Sequence, residues 1–97
     1  MLKVGDDILA QFFYLLDHEV PHVAERFINA VDRTFSQLTE YPQIGAPRKL
    51  RNRHLEGLRQ WPVEGFERVQ IYYLLTEDAI RVVRILHGKR DRDQIPI

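Results

Sequence analysis

Arg68-Val69-Gln70-Ile71-Tyr72-Tyr73-Leu74-Leu75 is the stretch that decides the fold. Val69, Ile71, Tyr73 and Leu75 alternate with Arg68, Gln70, Tyr72 and Leu74, a period of two that places successive side chains on opposite faces of a strand. The first set is expected to face a core, and the more polar second set to face outward or into a groove. Working outward, Leu58–Val63 reads as a preceding strand closed by Pro62, and Glu77-Asp78 as a turn. Ile80–His87 reads as the last strand, apolar on both faces except for Arg81 and Arg84, which suits a covered central position. Gly88 ends it, and 89–97 is a charged tail with no C-terminal helix expected.

Upstream the period changes to 3.6. Val23, Phe27, Val31, Phe35 and Leu38 recur at helical spacing, with Glu25, Arg26, Asp32, Arg33 and Glu40 on the other face. A helix over about 21–40 follows, roughly 30 Å long, with Pro21 in its first turn, where a missing N–H costs nothing. Ile8, Leu9, Phe12, Phe13, Leu15 and Leu16 form a broad apolar stripe, so another helix runs to about His18. Asp6 and Asp7 stand near its start, where the helix dipole favours carboxylates. Residues 1–4 are open to reading as a short strand broken by Gly5. The connection between the helices is short enough to force an antiparallel hairpin. Tyr41–Pro47 carries two prolines and a glycine and is expected to hold no regular element. The sum is α+β: an N-terminal antiparallel helical hairpin packed on one face of a small antiparallel β-sheet, with 1–97 as one domain.

Apolar residues make up 44% and charged residues 29% of the 97, a globular balance, and there is no cysteine. Disulfide scaffolds and thiolate metal sites are thereby excluded. No apolar run approaches the ~20 residues of a membrane span, so no membrane partner is expected and the cytoplasm is the expected compartment. The net charge of zero hides an asymmetry: residues 1–47 carry 3 basic and 7 acidic side chains, residues 48–97 carry 11 and 7. Such polarity can steer a charged partner.

Several motifs bear on chemistry. His18-Glu19-Val20-Pro21-His22 spells the zinc-protease pattern H-E-x-x-H, but that chemistry needs one unbroken helix and Pro21 forbids it. Neither metal nor cofactor is implied. Arg48-Lys49-Leu50-Arg51-Asn52-Arg53-His54 is a basic connector able to meet phosphates, yet no aromatic residue interleaves it for base stacking. Arg59, Arg68, Arg81 and Arg84 fall on strands, with Arg90 just beyond. Arg84 is expected to share a face with Val82 and Leu86, so its charge needs a carboxylate, a carbonyl or a groove. His87 ends the last strand, as a proton shuttle or a hydrogen-bonded strand end. Trp61 beside Pro62 serves either core or partner contact. On the first helix, Leu9, Phe13 and Leu16 extend the apolar stripe beyond what one seam would bury, which suggests a docking groove.

Taken in order, several segments resemble the ParE/RelE superfamily, toxins of bacterial type II toxin–antitoxin (plasmid stabilisation) systems, and its ParE branch in particular. They are Ala24-Glu25-Arg26-Phe27, Leu38-Thr39-Glu40-Tyr41-Pro42-Gln43-Ile44-Gly45, Gly57-Leu58-Arg59-Gln60-Trp61-Pro62-Val63, Tyr72-Tyr73 and Val83-Arg84-Ile85-Leu86-His87-Gly88-Lys89-Arg90-Asp91. The resemblance implies a toxin silenced by a co-encoded antitoxin, here through Leu9, Phe13 and Leu16. ParE-like relatives inhibit DNA gyrase by protein–protein binding, which would engage Arg59, Trp61, Arg84 and Arg90. RelE-like relatives cleave mRNA on the ribosome, which would make Arg84, His87 and Arg90 catalytic. The tail tyrosine of that nuclease pattern is absent from Gln94-Ile95-Pro96-Ile97, and Trp61-Pro62-Val63 stands where its strand arginine is expected. The gyrase-directed, non-enzymatic reading is therefore preferred, with the ribonuclease as the alternative and a non-toxic antitoxin-binding domain as a third.

Overall fold

A computed structural model describes residues 3–18, 21–48 and 55–88. Two helices, α1 (Lys3–His18) and α2 (Pro21–Glu40), precede four strands: β1 (Ala46–Pro47), β2 (Arg59–Val63), β3 (Phe66–Leu75) and β4 (Ile80–His87). The strands form one antiparallel sheet in the order β1-β2-β3-β4. This is the expected α+β architecture, and α2 has the bounds its periodicity predicts.

The main core lies between α2 and the sheet. Phe27, Val31 and Leu38 of α2 meet Val63, Val69, Ile71, Tyr73 and Ile85, all buried. Phe27 and Phe66 stack edge to face with centroids 5.3 Å apart, a favoured aromatic geometry. Thr34 fastens the helix to the sheet. Its hydroxyl donates to the Ala30 carbonyl at 2.7 Å and accepts from the Glu64 N–H at 3.0 Å, so a buried polar group is satisfied on both counts. The two-residue turn Glu64-Gly65 joins β2 to β3, and Gly65 sits at φ 79°, a conformation glycine reaches without steric cost.

Five expectations are corrected. No strand occupies 1–4 as far as the chain is described: α1 already runs from Lys3 and passes through Gly5. A single glycine costs a helix only ~1 kcal/mol against alanine, and Asp7, two residues on, ties this turn to β4. The 41–47 segment does hold a regular element, since Ala46 and Pro47 pair with Gln60 and Arg59. Leu58 lies just outside β2, although its carbonyl accepts from the Arg48 N–H at 2.7 Å. β4 is an end strand, and its apolar character is matched by α1, which packs against it, rather than by a further strand.

The strand faces differ too. Tyr72 pairs with Arg84 but Tyr73 pairs with Val82, leaving Val83 unopposed as a bulge. The extra residue shifts the alternation. Val82 therefore packs on the helix-side core, while Leu86 joins a second cluster on the far face. Val82 and Arg84 do not share a face. Nor is the far face simply polar: Tyr72, Leu55, Leu58 and Leu86 are buried there together.

Candidate functional site

Arg84 is the best-held cation of the described residues. Its Nε and Nη2 each donate to the Asp7 carboxylate at 2.7 Å, a bidentate pair between β4 and the first turns of α1. Asp7 Oδ2 also accepts from the Ile85 N–H at 2.9 Å. That N–H points out of the sheet's end strand, so one carboxylate neutralises a strand arginine and satisfies a free sheet edge at once. The Asp7 hydrogen bonds raise the Arg84 pKa further above its ordinary value, and the cation stays charged at any pH the fold survives.

Arg59 is also committed within the chain. Its Nη1 donates to the Gln43 carbonyl at 3.0 Å and the Gly45 carbonyl at 2.7 Å. From the adjacent strand, the Tyr73 hydroxyl accepts from the Gly45 N–H at 2.9 Å and donates to the Pro42 carbonyl at 2.8 Å. Burial raises the Tyr73 pKa, against the opposing pull of the Gly45 hydrogen bond and of Arg59. A Cβ at Gly45 would meet the Tyr73 hydroxyl, with ring carbons at 2.8 and 2.9 Å. Gly45 is thus required by close approach. The loop 41–45 is held rigidly, and it presents Tyr41 and Ile44 to solvent, 57% and 36% exposed.

Trp61 lies half-buried on the helix face of β2, where its Nε1 donates to Gln37 Oε1 at 3.2 Å. It walls a groove of about 580 Å³ with Tyr41, Pro62, Glu40, Glu64 and Glu67. The far face carries a chain of polar side chains instead. Arg48 donates to Gln60, whose amide donates to Gln70 Oε1 at 2.9 Å, and Gln70 donates to the Glu67 carbonyl. The Arg48 guanidinium stands 6.0 Å from the Tyr72 ring centroid. The Tyr72 hydroxyl itself is buried with no hydrogen-bond partner among the described residues.

The sequence-predicted residues are therefore dispersed. Arg59 and Trp61 stand on β2, two strand spacings or ~9.5 Å from β4 and Arg84, and the partners of Arg59 and Arg84 on β3 face opposite ways. His87 is exposed, tilted against the Tyr14 ring at 6.4 Å, and lines a cavity of about 370 Å³ with Arg68, Gln60 and Gln70. Arg90, the connector 49–54 and the tail 89–97 lie outside the described residues, as does the Leu16 side chain. Leu9 and Phe13 are 52% and 57% exposed on α1, so this part of the stripe is surface rather than core. His18 ends α1 and His22 lies in the first turn of α2, so the H-E-x-x-H string spans two helices. No cluster of three or more metal-ligating residues exists among the described residues. No helix among them is long and apolar enough to cross a membrane.

Sequence reasoning missed Asp7 as the partner of Arg84, and Tyr73 and Gly45 as the fastening of the 41–45 loop. The only signal was indirect: a strand arginine demands a counter-charge, and Asp7 is one of two adjacent carboxylates on the first helix.

The fold and these contacts define a small α+β protein built as a helical hairpin over an antiparallel sheet, with Arg59 and Arg84 fastened internally and aromatic side chains left at the surface. The family model described as ParE toxin of type II toxin–antitoxin system, parDE, matches residues 3–92, and the chain belongs to that family. It is a type II toxin–antitoxin toxin, and its family implies an antitoxin partner. No curated protein matches the chain at a significant level.

Proposed function

We propose that this toxin acts in the cytoplasm, as one domain over 1–97, by binding DNA gyrase rather than by cleaving RNA. The observation that carries this reading is the Asp7–Arg84 pair. Cleavage by an RNA 2′-hydroxyl needs a base, an acid and a cation at phosphorus. Of the three side chains a nuclease would recruit here, Arg84, His87 and Arg90, the first already has its charge met by a carboxylate at 2.7 Å on two nitrogens. A phosphate would have to displace Asp7, which also holds the Ile85 N–H. Pro62 at the strand position where the nuclease pattern expects an arginine agrees with this.

Trp61, Arg59, Arg84 and Arg90 are the proposed target contacts, with Arg59 and Arg84 acting from fixed positions on opposite faces of the sheet. The antitoxin docks on Leu9, Phe13 and Leu16 of α1. Half-exposure of Leu9 and Phe13 supports that, because a partner helix or strand would cover them. The test is a supercoiling assay with purified toxin, gyrase and relaxed plasmid. Inhibition that is lost on adding antitoxin is expected; undiminished supercoiling at saturating toxin would contradict the proposal.

A further inference from the structure

The groove beside Trp61 has a composition that the family reading leaves unexplained. Trp61, Tyr41 and Pro62 form its walls, and Glu40, Glu64 and Glu67 stand around it. An apolar cavity of about 490 Å³ along Pro42, Gln43 and Ile44 shares Glu40 and Tyr41 with it, so the two are neighbours. Three features give the face a chemical preference. Glu40 is the last residue of α2, where the helix dipole is negative, and no basic residue occupies that last turn; a carboxylate there is mismatched with its own helix. Arg33, the cation at this groove, is already paired with Glu64 at 3.3 Å. Trp61 is oriented by Gln37, and Tyr41 sits on the loop strapped by Tyr73 and Arg59. Glu67 Oε2 accepts from the Gly65 N–H at 2.9 Å, but among the described residues neither Glu40 nor Glu67 has a cationic partner, and rigid aromatic walls next to such carboxylates suit a cation on an apolar stem.

We infer that the groove between the end of α2 and β2 receives a lysine- or arginine-bearing segment of the cognate antitoxin, which seats its cation between Glu40 and Glu67 and covers Trp61. Charge complementarity argues for the basic segment. The antitoxin is the occupant because it is the partner the family supplies, and because the hairpin leads there. α1 and α2 pack antiparallel, so a chain running from Phe13 past Leu9 moves toward the hairpin end that carries Glu40. Along the axis Glu40 lies about ten helical residues beyond the level of Leu9, roughly 15 Å, which ~5 extended residues span. The inference rests on the reading above, in which Trp61 faces the target: an antitoxin seated here makes target and antitoxin mutually exclusive at that side chain.

The test uses purified full-length toxin and its co-encoded antitoxin. Affinity and its dependence on salt are measured for wild type, for the double variant Glu40→Gln with Glu67→Gln, and for Phe13→Glu. Glu40 and Glu67 are exposed, and thermal melts verify that each variant is folded. The double variant is expected to bind about tenfold more weakly at low salt, with a shallower salt dependence. Affinity within twofold of wild type with an unchanged salt dependence overturns the inference, also where toxicity falls, since the groove would then serve the target alone. Phe13→Glu separates the two claims. If it releases the antitoxin while the double variant does not, the α1 site stands and the groove falls. If the double variant weakens binding and Phe13→Glu does not, the groove stands and the α1 site falls.

Discussion

Arg84 carries a full charge from a strand whose neighbours are apolar, and Asp7 makes that tolerable. The pair is mostly buried, with side-chain exposures of 16% and 9%. Replacing Arg84 by Ala leaves the Asp7 carboxylate with the Ile85 N–H and no counter-charge, and removal of one partner of a buried pair costs roughly 3–5 kcal/mol. Chemical denaturation of Arg84→Ala checks this; a change under ~0.5 kcal/mol with toxicity lost would make Arg84 a contact residue instead of a structural one. Tyr73 gives a second prediction. Burial favours its neutral phenol, so the folded pKa is raised above the unfolded value near 10. Its contribution is therefore complete below pH ~10 and is lost as pH climbs through the folded pKa. Stability should fall in that alkaline window, and Tyr73→Phe should flatten the fall while costing ~1–3 kcal/mol near neutrality, because the Gly45 N–H and Pro42 carbonyl lose their partner. Melts across pH 8–11 measure both. Gly45→Ala pushes a methyl into the same hydroxyl and is expected to cost about 1–3 kcal/mol in the same melts.

At the scale of elements, α1 has two faces with different jobs. Asp7 binds it to β4, and Leu9 and Phe13 look outward. Phe13→Glu should leave the melting temperature near wild type, since surface substitutions usually stay within ±0.5 kcal/mol. Phe27→Ala, in the sealed face of α2, should cost ~3–5 kcal/mol. Co-purification with antitoxin should fail for the first variant only through lost binding. The same contrast explains what the sequence made legible. α2 could be read to its ends because five apolar positions repeat at helical spacing over 20 residues. The Val69–Leu75 alternation likewise showed which side chains meet the helices. β1 could not be read, because two residues carry no period. The bulge at Val83 could not, because one extra residue is invisible until pairing is known, and it inverted the expected relation of Val82 to Arg84. The surface stripe was legible as an excess of apolar residues. The Asp7–Arg84 contact was not, because it joins positions 77 apart and no local pattern encodes that pairing.

The molecule as a whole is polarised. Its first half is acidic and its second half basic, and the two candidate docking faces follow that division only in part. The acidic end of α2 meets β2 and the β2–β3 turn at the Trp61 groove, while α1, which turns Leu9 and Phe13 outward, packs on β4. Among the described residues, Arg84 and His87 pair with β3 residues on opposite faces and do not gather around one reacting phosphate, whereas the α1 stripe and the Trp61 groove leave apolar and aromatic side chains exposed. On the proposed function, toxicity comes from binding a protein. One preparation of toxin, given in parallel to gyrase with relaxed plasmid and to ribosomes programmed with mRNA, tests it most directly. Loss of supercoiling or trapped cleaved DNA, retained by His87→Ala and accompanied by intact mRNA, is the predicted result. Codon-specific cleavage of the mRNA by the wild type, abolished by His87→Ala and with gyrase unaffected, would contradict it.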